Sequence, residues 1–111
     1  MGKLANATFP GASGKNYDFE VYSTDTNFNN VGAVYIFSKR TVNQAGKGTH
    51  DLLYIGETEK LGNRIANHEK WRFVRGYGVN AICVHVDTAE NSRLAKETDL
   101  CRANNTPCNK Q

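Results

Sequence analysis

The sequence predicts an α+β domain: a small, mainly antiparallel, three-stranded sheet flanked by helices, with a candidate extra strand near the N-terminus. Three observations carry this. Residues 31–38, 51–56 and 81–86 are runs of β-branched and aromatic side chains, the composition of strands. Residues 59–71 and 89–104 instead place apolar side chains at helical spacing. A chain of 111 residues has room for one compact domain and no second one.

In order along the chain, residues 1–30 read as an N-terminal arm and 31–111 as the folded domain. The first sixteen residues are rich in Gly, Ala, Ser, Asn and Lys and predict a loose segment. Residues 18–22 form the candidate extra strand, with Tyr17, Phe19 and Val21 on one face, and 23–30 are turn-like. The strand over 31–38 is followed by 39–50, where Gly46, Gly48 and few apolar residues predict a loop. Residues 51–56 then return as the second strand of a long-looped antiparallel hairpin. Thr58 can cap the helix over 59–71, whose stripe is Leu61, Ile65 and His68. Gly76 and Gly78 break the chain before the strand over 81–86, and Asp87 or Thr88 caps the helix over 89–104. Residues 105–111, with Pro107, predict a loop.

Composition narrows the function classes. Apolar residues make up 39% and charged residues 23%, the balance of a soluble domain, and no apolar run is long enough to cross a bilayer. The N-terminus lacks the apolar core of a secretory signal, which predicts a cytoplasmic protein without membrane contact. Three cysteines without a Cys-x-x-Cys pair, and scattered His50, His68 and His85, argue against a disulfide framework and against zinc. A net charge of +3 permits a nucleic-acid partner without requiring one. Its distribution is more telling. Lys60, Arg64, Lys70, Arg72 and Arg75 crowd one stretch, with Trp71, Phe73 and Tyr77 interleaved. Such a stretch can neutralise phosphates and stack on bases, and it equally suits a solvated helix face whose aromatics enter the core.

Five polar positions stand out. Arg64 and His68, four apart on the predicted helix, share a face about 6 Å apart along its axis, beside the apolar stripe. A charge buried there needs partners. A functional site, a structural salt bridge and side chains reaching out to solvent all fit. Glu97 lies three after Leu94 and four before Cys101, with Arg93 one turn back as a simple ion-pair partner. Tyr35 and Tyr54 fall centrally in adjacent strands, where tyrosines usually serve packing.

The strings GAVYIF, DLLYIGET and LGNRIANH resemble the GIY-YIG nuclease family. Ala33-Val34-Tyr35 stands at the first motif, with Ala33 where the family has Gly, and Tyr54-Ile55-Gly56 is the second motif. Arg64 matches the helical Arg, and His68 the His that some members carry one turn later. Glu97 matches the metal-ligand Glu, and Asn109 the Asn near the end. The resemblance covers residues 31–109 and leaves the first thirty outside it.

The resemblance implies an endonuclease that hydrolyses phosphodiester bonds in DNA, or in RNA, with one Mg²⁺ or Mn²⁺ held by Glu97. Arg64 would stabilise the charge developing on the phosphate. Tyr35 or His68 would assist the attacking water, and Tyr54 would position water or phosphate. Asn109 would brace the site, Gly56, Lys60, Lys70 and Arg72 would contact substrate, and Glu57 would add a second carboxylate. One metal site cuts one strand, so duplex cleavage implies a homodimer, a partner protein or successive events. A non-catalytic nucleic-acid-binding module on the same fold is the alternative.

Overall fold

The computed structural model describes residues 3–110; Met1, Gly2 and Gln111, at the ends of the expected arm and domain, lie outside them. The elements are β1 (Ala5–Pro10), β2 (Asn16–Tyr22), β3 (Ala33–Val42), β4 (Gly48–Thr58), α1 (Leu61–Ala66), α2 (Trp71–Gly76), β5 (Ala81–Val86), α3 (Glu90–Ala103) and a 3₁₀ turn (Pro107–Lys110). The class is α+β, but the sheet has five strands, not three, in the order β1-β2-β5-β3-β4. Every pairing is antiparallel.

The two added strands come from the expected arm. In β1, Ala5, Ala7 and Phe9 alternate with exposed Asn6 and Thr8, which is a strand pattern written largely in alanine. Alanine has little strand preference of its own, so the signal is weak until β2 supplies a partner. The register sets Phe9 against Tyr17 and Ala5 against Val21, and β2 in turn pairs with β5. Tyr17, Ser13 and the Ser13 amide all bind the Asp99 carboxylate, fixing this hairpin to α3.

The expected loop over 39–50 is also mostly strand. Lys39, Arg40, Thr41 and Val42 pair with Asp51, His50, Thr49 and Gly48, so the connection shrinks to residues 43–47. Backbone pairing needs no apolar side chains on a solvated hairpin. Gly46 supplies the left-handed residue of the turn, at φ +82°, and the Asn43 side chain accepts the Ala45 and Lys47 amides.

The helix expected over 59–71 is broken into α1 and α2. Asn67 closes α1 by donating both its backbone and its side-chain N–H to the Asn63 carbonyl, and the Trp71 indole N–H takes the Ile65 carbonyl. These bonds satisfy carbonyls that a continuous helix would have used. At the other end no side chain of α1 caps its first turn. Val31 O, Asn29 O and the Asn30 side chain accept the Leu61, Gly62 and Asn63 amides instead. For α3 the tie is Asp87 rather than Thr88. Its carboxylate receives the Ala89 amide and the Ser92 hydroxyl.

The sheet has an apolar core on each face. Tyr35 and Phe37 pack with Leu61, Ile65 and Val74 of α1 and α2. Val34, Ile36 and Ile55 pack with Phe9, Phe19, Val21 and Leu100 of α3. Between Phe37 and Ser38 the β3–β4 register slips, so Leu53 is an extra residue, and Leu53 and Tyr54 both reach the α1–α2 side. Among the described residues no helix is long and apolar enough to cross a membrane.

Candidate active site

Tyr35 is the centre of the site. It sits on β3, between β4 and β5, and is 1% exposed. Directly across the ladder is Gly56. A Cβ at position 56 would stand 2.6 Å from the Tyr35 hydroxyl and 2.9 Å from the Tyr54 ring, so the tyrosine tip lies where a side chain would be. Ala33, where the resemblance expects Gly, is fully buried and its methyl joins the apolar core.

Two side chains meet at the Tyr35 hydroxyl. His68 Nε2 is 2.7 Å from it, and Arg64 Nε donates to it at 3.3 Å. Arg64 also bonds Glu69 at 3.1 Å and interacts with the Tyr54 hydroxyl. The Arg64–His68 pair therefore does not lie on one helical face. Arg64 lies in the last turn of α1, whereas His68 lies in the turn beyond that helix, and both converge on Tyr35. His68 is buried and packs edge-on against Phe37 and Tyr54, each with ring centres 4.9 Å away. Its Nδ1 accepts the Lys70 backbone N–H at 3.0 Å.

Burial sets the protonation states. It raises the Tyr35 hydroxyl above its usual pKa; the Arg64 hydrogen bond works the other way, and Tyr54 adds to the rise. It lowers His68 to about 4, helped by the Arg64 and Lys70 charges and opposed by Glu69. Tyr35 is thus a neutral phenol and His68 a neutral imidazole near pH 7.

Asn109 braces the same strand from outside. β4 is the sheet edge, and the Asn109 side chain donates to Ile55 O at 2.9 Å while accepting Ile55 N–H at 2.8 Å. The amide so replaces the missing neighbour strand at the residue between Tyr54 and Gly56. Thr106 donates to the same Asn109 oxygen.

Glu97 stands apart. No hydrogen bond or ion pair among the described residues joins it to the tyrosine cluster. Its α3 helix packs on the face that holds Val34, Ile36 and Ile55. Burial raises its carboxyl pKa, and so does the nearby Glu57 carboxylate. Arg93 does not pair with Glu97 one turn away. It is 4% exposed and donates Nε to Glu57 at 2.9 Å. A half-buried carboxylate beside a second one, with no hydrogen-bond donor among the described residues, could offer hard oxygen ligands to an ion such as Mg²⁺ or Mn²⁺. Among the described residues no three His, Cys, Asp or Glu side chains cluster, so water and substrate oxygens would complete the shell of such an ion.

The basic stretch is partly laid over aromatic rings. Lys70 and Arg72 flank the Phe73 ring at 5.2 and 5.4 Å, and Arg75 covers Trp71 at 5.4 Å. Lys60 and Arg72 are exposed and Lys70 is half-buried. Glu69, the partner of Arg64, is a site residue the sequence reading missed. Recognising Asn67 as a helix stop would have brought it into view, because the break turns residues 68–70 back toward Arg64. Comparison with protein-family models, curated proteins and solved structures returns no match for this chain.

Proposed function

We propose that this chain is a metal-dependent endonuclease of the GIY-YIG type, acting on phosphodiester bonds in DNA. The observation that supports this best is the meeting of Arg64 and His68 on the Tyr35 hydroxyl, above the gap left by Gly56. A packing tyrosine needs one partner for its hydroxyl. Tyr35 has two nitrogen partners, one of them a guanidinium.

Hydrolysis forms a bond from a water oxygen to phosphorus, passes that water's proton to a base, and breaks the bond to a leaving oxygen, which takes up a proton. Arg64, with a third of its side chain exposed, can bind a phosphate oxygen while Nε stays on Tyr35. Tyr35 or His68 assists the water, and Tyr54, beside both, orients water or phosphate. Asn109 keeps the strand between Tyr54 and Gly56 in register. A single Mg²⁺ or Mn²⁺ on Glu97, with Glu57 near, would supply Lewis-acid stabilisation of the phosphate. Lys60, Lys70 and Arg72 extend the positive surface along the backbone of the substrate.

The alternative is a nucleic-acid-binding module without turnover, and the separation of Glu97 from the tyrosine cluster favours it. A digestion panel decides between them: single-stranded, duplex and branched DNA, and RNA, each with Mg²⁺ and with Mn²⁺. Nicking that disappears in Glu97→Ala and Arg64→Ala is the expected result. Equal residual activity in wild type and Glu97→Ala would defeat the nuclease reading. Salt-sensitive binding with no turnover would support the module.

A further inference from the structure

A neutral histidine carries one proton on two ring nitrogens, and the hydrogen bonds around it show which one holds it. The Lys70 backbone N–H can only donate, and it points at His68 Nδ1 from 3.0 Å. Nδ1 is therefore the bare, accepting nitrogen. The proton lies on Nε2, which is 2.7 Å from the Tyr35 hydroxyl oxygen. Arg64 Nε–H donates to that same oxygen. A phenol oxygen accepts up to two hydrogen bonds and offers one proton. Both accepting positions on Tyr35 are filled by N–H groups, and its own O–H must point elsewhere.

We propose that His68 is a positioning residue, fixed as an Nε2–H donor to Tyr35, and that it does not take the Tyr35 proton. The Tyr35 O–H is turned away from His68, to the side of the Tyr54 hydroxyl, which is its third polar partner, and Tyr35 itself exchanges the proton on that side. The exchange with substrate rests on the nuclease reading above. The tautomer does not.

An imidazolium fits the site no better than the other tautomer. A proton on Nδ1 would face the Lys70 N–H, donor against donor. The charged groups around the ring point the same way. Arg64 from α1 and the Lys70 charge oppose a positive ring, and only Glu69 favours one. The side chains that pack on it from β3 and β4, namely Tyr35, Phe37 and Tyr54, are aromatic rings that offer it no carboxylate.

The test is nitrogen NMR of the full chain with ¹⁵N-labelled histidine. The expected His68 spectrum has Nδ1 at the shift of an unprotonated nitrogen and Nε2 at that of a protonated one, unchanged from about pH 8 to about pH 5. The reversed pattern, or a titration midpoint near the ordinary 6.5, would overturn the proposal. Two variants separate donor from base. His68→Gln keeps an N–H in nearly the same place, and His68→Phe keeps only the ring volume. In the Mn²⁺ cleavage assay the Gln variant is expected within about tenfold of wild type in kcat and the Phe variant at least about a hundredfold below it. Equal losses in both would identify a base and sink the donor role. If wild type cleaves nothing, the nuclease reading fails, and the nitrogen shifts still decide the tautomer.

Discussion

Tyr35 and Gly56 face one another across the β3–β4 ladder, and the tyrosine hydroxyl occupies the space a side chain at position 56 would need. The glycine is thus required by close approach, since its φ is not in the left-handed region. A methyl there must move the Tyr35 ring or the Tyr54 ring, and Tyr35 is held by its core contacts as well as by Arg64 and His68. Gly56→Ala is expected to cost about 1–3 kcal/mol of stability, as overpacking in a buried site does. It should also change the His68 ring signals, because the hydrogen bond at Nε2 shifts. Urea unfolding and the histidine spectrum check both, and an unchanged midpoint with unchanged signals would contradict the packing argument.

His68 gives the fold a pH dependence of defined sign. Its folded pKa is lowered to about 4, below the 6.5 of an unperturbed ring. Between those values the unfolded chain binds a proton that the folded chain refuses, so stability falls as pH drops from about 6.5 toward 4. Above about 6.5 the group has no effect. Full titration is worth roughly 2–4 kcal/mol, scaled from about 1.4 kcal/mol per pH unit. His68→Phe should flatten this part of the profile. Denaturation midpoints measured across that window test it, and equal slopes in wild type and variant would assign the acid sensitivity elsewhere.

What the sequence made legible was the site's ingredients more than its geometry. The three apolar strands are plain because Val, Ile, Phe and Tyr dominate them. β1 escaped because its inward positions are mostly alanine, and the outer half of the β3–β4 hairpin because its ladder carries polar pairs such as Arg40 with His50. Arg64 and His68 were recognised as a pair for a reason the structure replaces. Helical spacing suggested a shared face, whereas the chain turns at Asn67 and delivers His68 from a loop. That turn depends on Asn67 and Trp71 taking carbonyls of α1, and such pairings over four to six residues leave no mark on apolar periodicity. The Glu57–Arg93 pair was illegible too, since it joins β4 to α3 over 36 positions.

Asn109 offers a sharper test of the edge strand. Its amide both donates to and accepts from Ile55, so the two atoms of the side chain have fixed and different roles. Asn109→Ala leaves both Ile55 groups without the side-chain partner and should cost about 1–3 kcal/mol. Asn109→Asp keeps the shape and the acceptor but sets a carboxylate oxygen against the Ile55 carbonyl, so near pH 7 it should be no more stable than the alanine variant. Hydrogen exchange at the Ile55 amide and urea unfolding report on each. An aspartate variant as stable as wild type would mean that the donor half of the amide is dispensable.

Arg93 and Glu57 give the last prediction. The Arg93 guanidinium is buried, bonding the Glu57 carboxylate through Nε and the Asp87 carbonyl through a terminal nitrogen. Taking two charges out of water consumes much of what their attraction returns, but removing one partner alone leaves the other unpaired. Arg93→Met strands Glu57 beside Glu97, whose own carboxyl is already raised by burial and by that neighbour. The single substitution is expected to lose about 3–5 kcal/mol, while Arg93→Met combined with Glu57→Met should recover most of that loss. The double-mutant cycle from urea unfolding measures the coupling directly. If the double variant were as unstable as Arg93→Met alone, the loss would belong to the Asp87 contact and the packing of the arginine stem, and the ion pair would contribute little.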